Sequence, residues 1–134
     1  MSYLLDTSAL VRILRNQVRD KWNDEVVAGS MAVCEPVICE TLTTADSRKY
    51  DAVEIKLRST YSVVPVPADA WELIGAIRSA LAARSAHQGL SVADYLIAAT
   101  AIKSKLVLLH EDGDFETVAR FVPQLQQQRI SEVS

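Results

Sequence analysis

The stretch that decides the fold is Tyr3-Leu4-Leu5-Asp6-Thr7-Ser8, an apolar run that ends abruptly in a carboxylate and two hydroxyls. A short apolar run of this kind is typical of a buried strand in a parallel sheet. Open α/β sheets bind ligands beyond the carboxyl ends of their strands, so Asp6 would lie at the mouth of a site. Thr7 or Ser8 would then cap the following helix. The alternative is that Asp6 is itself that helix's N-cap, so its role depends on the acids further along.

Size and composition predict one ordinary globular domain over residues 1–134. The chain is 49% hydrophobic and 23% charged, and no apolar run approaches the ~18 residues that span a bilayer. The N-terminus lacks the basic flank and cleavage site of a signal peptide, so we expect a cytoplasmic protein with no membrane association. Cys34 and Cys39 fit neither a CxxC pair nor a zinc set, and we expect both to be reduced core thiols.

Apolar runs suited to strands alternate with amphipathic segments suited to helices. The predicted strands are Tyr3–Leu5, Met31–Cys34, Tyr61–Val64, Leu106–Leu109 and Gln124–Ile130. The predicted helices are Ala9–Leu14, Val18 to Gly29, Val37–Ala45, Ser47–Ser59, a helix capped by Asp69 with the stripe Leu73, Ile77 and Leu81, Val92–Ser104 capped by Ser91, and Phe115–Arg120. This alternation, without tight hairpin turns, favours a three-layer α/β/α sandwich with a mostly parallel central sheet.

Four further acids lie where a doubly wound sheet brings element ends to one edge. Asp112 and Asp114 directly follow the fourth predicted strand, Asp94 lies in the first turn of the most apolar helix, and Glu40 lies one turn into the third helix. Each alone has an ordinary explanation as a turn former or helix-dipole partner. Together they would repel one another unless a cation joined them, and oxygen ligands suit Mg²⁺ or Mn²⁺. Such a site suits metal-assisted hydrolysis of a phosphodiester.

Four stretches, in order along the chain, give it a resemblance to PIN-domain ribonucleases of the VapC toxin type. They are YLLDTSALVRIL (3–14), EPVICETLT (35–43), LSVADYLIAATA (90–101) and LVLLHEDGDF (106–115). By that match, the catalytic acids are Asp6, Glu40, Asp94 and Asp112. The resemblance implies a Mg²⁺ or Mn²⁺ ion held chiefly by the first and third acids, from the metal-ligand set Asp6, Asp94, Asp112 and Asp114.

The fourth stretch departs from the family pattern. His110 and Glu111 precede Asp112 where family members often have Thr before the acid. This leaves open whether Asp112 or Asp114 faces the metal. We expect His110 to be a surface or capping histidine, with local proton transfer as the alternative.

The same resemblance implies a substrate and partners. Family members cut RNA, form homodimers and are blocked by a small antitoxin encoded beside them. We therefore expect the endoribonuclease toxin of a type II toxin–antitoxin system, with RNA as substrate and a VapB-type antitoxin as partner. Trp22 and Tyr50 are candidate antitoxin contacts, although core packing also explains them. Candidates for phosphate contacts, for which a solvated helix face is an equal explanation, are Arg12, Arg15, Arg19 and Lys21.

Two other classes of protein remain as alternatives. One is a catalytically silent PIN-like module that only binds protein. The other is a metal-dependent phosphatase or a phosphoreceiver-like domain. Such a phosphatase needs a second Asp where Ser8 stands, and a phosphoreceiver domain needs an acidic pair after the first strand. The net charge of −3 argues mildly against a nucleic-acid binder. Acids neutralised by a metal would still leave basic residues elsewhere to attract a polyanion.

Overall fold

Residues 2–132, which the computed structural model describes, form a parallel sheet flanked by helices. The elements are β1 (Tyr3–Leu5), α1 (Thr7–Leu14), α2 (Asp20–Val27), β2 (Met31–Val33), α3 (Glu35–Thr43), α4 (Tyr50–Thr60), β3 (Ser62–Val63), α5 (Ala70–Ala82), α6 (Val92–Ser104), β4 (Val107–His110), α7 (Gly113–Phe121) and β5 (Gln127–Arg129). The predicted α/β fold with a parallel central sheet is confirmed.

The strand order of the sheet determines where a ligand would bind. The order is β3-β2-β1-β4-β5, and every neighbouring pair of strands is parallel. The chain builds outward from β1 to β3 and then returns to place β4 on the other side of β1. The strand order therefore reverses between β1 and β4, where open α/β sheets bind ligands. Because Leu5 pairs with Leu109, the residues that follow the two strands emerge side by side.

The core explains why the apolar runs are strands and why α6 is so apolar. Leu4, Leu5, Leu108 and Leu109 are fully buried, as expected for central strands covered on both faces. Helix α6 packs against α3, α5 and β4, and it buries six residues over its length. Trp22 is also buried, and its indole N–H donates to the Ile130 carbonyl at 2.8 Å. This bond ties the segment after β5 to α2.

Several helix limits differ from the prediction because short polar side chains bond to nearby backbone. Helix α4 begins at Tyr50 rather than Ser47, and just before it the Asp46 carboxylate accepts the Arg48 N–H in a turn. Helix α7 begins at Gly113 rather than Phe115, because Asp112 caps it. Asp69 makes no capping bond and instead pairs with Lys103 at 2.8 Å.

The last strand and one cysteine also differ from expectation. Strand β5 covers only Gln127–Arg129 of the predicted 124–130 segment. Cys34 is buried, and burial raises the pKa of its thiol to about 12, but Cys39 is exposed, so the prediction of two core thiols is wrong for Cys39. Within residues 2–132, no helix has both the length and the apolar character needed to cross a membrane.

Candidate active site

Three carboxylates converge beyond the carboxyl end of β4. Asp94, Asp112 and Asp114 each offer one oxygen, and these oxygens all lie within 4.8 Å of one another. We call these three residues the acidic cluster. All three side chains are half-buried, so a ligand can reach them while solvent screening is reduced. Three hard oxygen donors with open positions fit Mg²⁺ or Mn²⁺, which keep several water ligands.

Local helix chemistry positions Asp94 in the cluster. Ser91 and Asp94 form a capping box at the start of α6: the Ser91 Oγ accepts the Asp94 N–H at 3.1 Å, and the Asp94 Oδ2 accepts the Ser91 N–H at 3.0 Å. Burial raises the pKa of Asp94, the Ser91 bonds oppose this, and the charges of Asp112 and Glu40 raise it further. The predicted cap at Ser91 is confirmed. The same capping box orients the Asp94 carboxylate, whose ionised form is destabilised by the negative charges of Asp112 and Glu40.

A buried histidine holds the backbone of Asp112 in place. The His110 Nδ1 accepts the Asp112 N–H at 3.0 Å, and its Nε2 lies 2.6 Å from the Gln127 Oε1 on β5. This pattern assigns the proton to Nε2, which donates to Gln127. The sequence favours a surface or capping histidine at this position. His110 is fully buried, so the surface location is wrong, whereas the bond that its ring accepts from the Asp112 N–H agrees with a capping role. Asp112 in turn caps α7, because its Oδ1 accepts the Asp114 N–H at 2.9 Å.

Asp6 is the N-cap of α1 and lies beside the acidic cluster rather than in it. Its Oδ1 accepts the Ala9 N–H at 2.8 Å, and the Ser8 Oγ donates to the carboxylate at 2.8 Å. An N-cap residue directly precedes the first helical residue and accepts a backbone N–H through its side chain. Asp6 meets both conditions, so the cap is Asp6 and not Thr7 or Ser8. Asp6 is 4% exposed, and burial raises its pKa to about 6 against the opposing Ala9 and Ser8 bonds, with the charge of Asp112 adding to the rise.

Two hydroxyls join the elements around these acids. The Ser8 Oγ also accepts the Glu111 N–H at 3.0 Å, and so links the residues that follow β1 and β4. The Thr7 Oγ1 donates to the Glu40 Oε1 at 2.5 Å, which fixes the α3 carboxylate against α1. The structure thus brings Asp94, Asp112 and Asp114 into one cluster. It places Asp6 and Glu40 at its margins, each within electrostatic reach of a cluster acid.

Glu111 turns away from the acidic cluster. Its carboxylate accepts the Ser131 Oγ–H at 2.8 Å and pairs with Arg129 at 3.2 Å. Burial alone would raise the pKa of Glu111, but the bonds from Ser131 and Arg129 outweigh it and the pKa is lowered. Glu111 therefore anchors the segment after β5, and the extra acid in the fourth stretch does not enlarge the cluster.

Gly89 contacts the cluster and was not among the residues predicted from the sequence. A Cβ added to Gly89 would lie 2.8 Å from the Asp114 Oδ1 and 3.3 Å from its Cγ. The sequence signal is slight: a glycine two residues before the capping Ser91. The missing side chain makes room for the Asp114 carboxylate in its observed position.

We expect Gly89→Ala to weaken metal binding by roughly 10- to 100-fold, the range typical of residues that orient metal ligands. The new methyl group would displace the end of the Asp114 side chain, which can rotate, so the chain should still fold. Titration calorimetry with Mn²⁺ measures the effect. Gly75→Ala is the matched control, because a Cβ added there lies 3.9 Å from its nearest side-chain neighbour, the Arg78 Nη2. Equal Mn²⁺ affinity in both variants would contradict the positioning role.

The fold and site together define a parallel α/β protein with a carboxylate cluster at the point where the strand order reverses. A family model of the PIN domain matches residues 3–121, and the chain belongs to this family. It is similar to ribonuclease VapC6 of Mycobacterium tuberculosis, with 35% identity over 79% of this chain and 86% of that protein. It is also similar to ribonuclease VapC18 of the same species, with 30% identity over 92% of each chain. The fold matches DNA-bound VapBC from Salmonella typhimurium with a TM-score of 0.77 and 20% identity, covering 97% of this chain and 98% of that one.

Proposed function

We propose that this protein is a metal-dependent endoribonuclease and the toxin of a type II toxin–antitoxin pair. The observation that carries the proposal is the acidic cluster, which lies where the strand order reverses between β1 and β4. Relatives that are named ribonucleases and align over most of the chain support hydrolysis of RNA.

The acidic cluster and Asp6 would hold one or two Mg²⁺ or Mn²⁺ ions. A divalent cation bound there would polarise a phosphodiester and supply an activated water. Asp94 and Asp112 come from different elements, and hydrogen bonds within the protein hold the Asp94 carboxylate through Ser91 and the Asp112 backbone through His110. Asp114 lies two residues after Asp112, and burial followed by the charge of Asp112 raises its pKa, so a bound cation would relieve the repulsion between the two carboxylates.

Glu40 and Asp112 are the proposed partners of the attacking water. Thr7 holds one oxygen of Glu40, which leaves the other to accept a hydrogen bond from water. The charge of Glu40 is also one of the causes that raise the pKa of Asp94, after burial and the charge of Asp112, so the two carboxylates interact electrostatically. No nucleophilic side chain is needed, because a water oriented by these acids would form the new P–O bond while the bond from phosphorus to the leaving sugar oxygen breaks.

We also propose that the protein acts in the cytoplasm as a homodimer and binds a VapB-type antitoxin. The helices α2 and α4 are candidates for the antitoxin contact. Tyr50 is 42% exposed and Ile55 is 68% exposed on α4, and Val27 is exposed at the end of α2. Trp22 is buried and is not available to a partner, so only Tyr50 remains of the two aromatic candidates. Structural neighbours described as VapBC complexes support this partner class.

The metal requirement is tested by removing the ion. We expect purified protein to cleave structured RNA in Mg²⁺ and to lose this activity in EDTA. Mn²⁺ should also raise the melting temperature, because an ion that binds only the folded state stabilises it. Asp6→Asn should reduce that rise. A wild-type protein whose melting temperature does not respond to Mn²⁺ would instead favour the non-catalytic binding module.

A further inference from the structure

A polar cavity lies outside the acidic cluster. It has a volume of about 360 Å³ and lies between the α1–α2 connection and the segment after β5. The polar side chains that line it belong to Arg12, Asn16, Gln17, Arg19 and Ser131. Two guanidinium groups and two side-chain amides therefore face one small space, and no acidic residue lines it. We call this space the arginine cavity.

Neither guanidinium group in the arginine cavity forms an ion pair with any residue from 2 to 132. Among residues 2–132, no carboxylate lies within 4 Å of Arg12 or Arg19, whereas Arg58 and Arg129 each pair with two glutamates. Arginine stays protonated at any physiological pH, so Arg12 and Arg19 bring two positive charges to the cavity that no carboxylate of the described residues pairs with. Its planar fork of N–H donors matches the oxygens of a phosphate group.

A short chain of hydrogen bonds connects the arginine cavity to the catalytic edge. Ser131 at its rim donates to the Glu111 carboxylate at 2.8 Å. The Glu111 N–H donates to Ser8 at 3.0 Å, and Ser8 donates to Asp6 at 2.8 Å. The rim is also fixed by the bond from Trp22 to Ile130. The cavity is therefore held in a set position relative to the acids.

We propose that the arginine cavity binds a backbone phosphate of the RNA at a distance from the scissile bond. This inference rests on the proposed nuclease function and adds a substrate-binding subsite to it. A chain with a net charge of −3 and a cluster of acids at its active edge needs a local positive site to hold a polyanion. The cavity supplies two such charges, and hydrogen bonds through Glu111 and Ser8 link its rim at Ser131 to Asp6. A phosphate contact of this kind positions the substrate without reading its sequence.

The test compares two double variants that remove the same charge. Arg12→Gln/Arg19→Gln empties the cavity of its cations, and Arg48→Gln/Arg120→Gln removes two exposed cations elsewhere. Binding of a fluorescein-labelled oligouridine is measured by anisotropy in EDTA, between about 50 and 200 mM salt. Cleavage of the same RNA in Mg²⁺ gives kcat and KM, and urea unfolding verifies that both variants fold.

We expect the cavity variant to bind the oligouridine about tenfold more weakly than the control variant. The slope of log K against log salt should also fall by roughly 0.7 for each phosphate that the variant no longer binds, and KM should rise more than kcat falls. Equal affinities and slopes in the two variants would overturn the inference while leaving the nuclease proposal intact. RNA binding that depends on the cavity without any cleavage would support the inference and refute the nuclease proposal.

Discussion

Asp94→Asn is expected to lower kcat/KM for RNA cleavage by about 10²- to 10⁴-fold. The loss reflects the several kcal/mol of transition-state stabilisation that a correctly held cation supplies, at about 1.36 kcal/mol for each factor of ten. Asparagine keeps an oxygen that can accept the Ser91 N–H, so the capping box and α6 should survive. The change removes only the charge and one metal-ligating oxygen. Activity in Mg²⁺, measured on a fluorogenic RNA, gives the size of the effect.

The matched control for this variant is Asp51→Asn. Asp51 is also an acid in the first turn of a helix, α4, but it is exposed and lies outside the acidic cluster. Its replacement removes the same charge from the same kind of position. If Asp94→Asn kept a tenth or more of the activity seen in Asp51→Asn, the cluster would not be the catalytic centre.

Asp6→Asn is expected to abolish most of the activity and at the same time to stabilise the metal-free protein by about 2–3 kcal/mol at pH 7. Burial raises the pKa of Asp6 from 3.8 to about 6, a difference of about 2 units at about 1.36 kcal/mol each. The folded state must therefore ionise a buried carboxyl group at neutral pH, and asparagine removes that cost. Asparagine also caps helices as well as aspartate does, so the bond from Ala9 is kept.

The sign of the pH dependence follows from the direction of the shift. Because the folded state binds the Asp6 proton more tightly than the unfolded state does, stability from this group is full below about pH 4 and is lost as the pH rises through about 6. Asp6→Asn has no carboxyl group to ionise at this position, so its stability does not fall in this way. The unfolding free energy of the variant minus that of the wild type should be near zero at about pH 4 and largest above about pH 7. Urea unfolding in EDTA at these pH values measures it.

The control for the stability experiment is Asp24→Asn, because Asp24 is an exposed acid on α2. If the difference in unfolding free energy between Asp6→Asn and the wild type did not grow with pH, the pKa of Asp6 would not be raised by burial. Mn²⁺ should reverse the order of stability. The wild type gains an ion that binds only its folded state, and the variant has lost a ligand.

The sequence best predicted those features of the fold that depend on the local pattern of residues and on where the strands end. The run ending in Asp6, the strand before Asp112 and the cap at Ser91 could all be predicted, because each lies within a few consecutive residues. The reciprocal bond from Ser91 to Asp94 became visible only in the structure. The sequence could not predict which of the acids lie closest together. Asp94 and Asp112 meet only because α6 packs on β4 and β4 pairs with β1, and this grouping leaves Asp6 at the margin.

The remaining site features depend on contacts between distant segments. Ser8 accepts an N–H from Glu111, 103 positions away in the sequence, and Gly89 approaches Asp114 from a separate loop. His110 also shows why a residue type is a weak guide: a histidine beside two acids suggested a surface group, but pairing of β4 with β5 buried it against Gln127. The hydrophobic periodicity of a single sequence does not indicate which distant segments contact one another.

The pairing of β1 with β4 also affects when the site can form during synthesis. Asp112 and the strand that positions it are added more than a hundred residues after Asp6. No nascent chain that stops before β4 contains the acidic cluster. The acidic cluster can therefore form only after the chain has been synthesised through the first turn of α7.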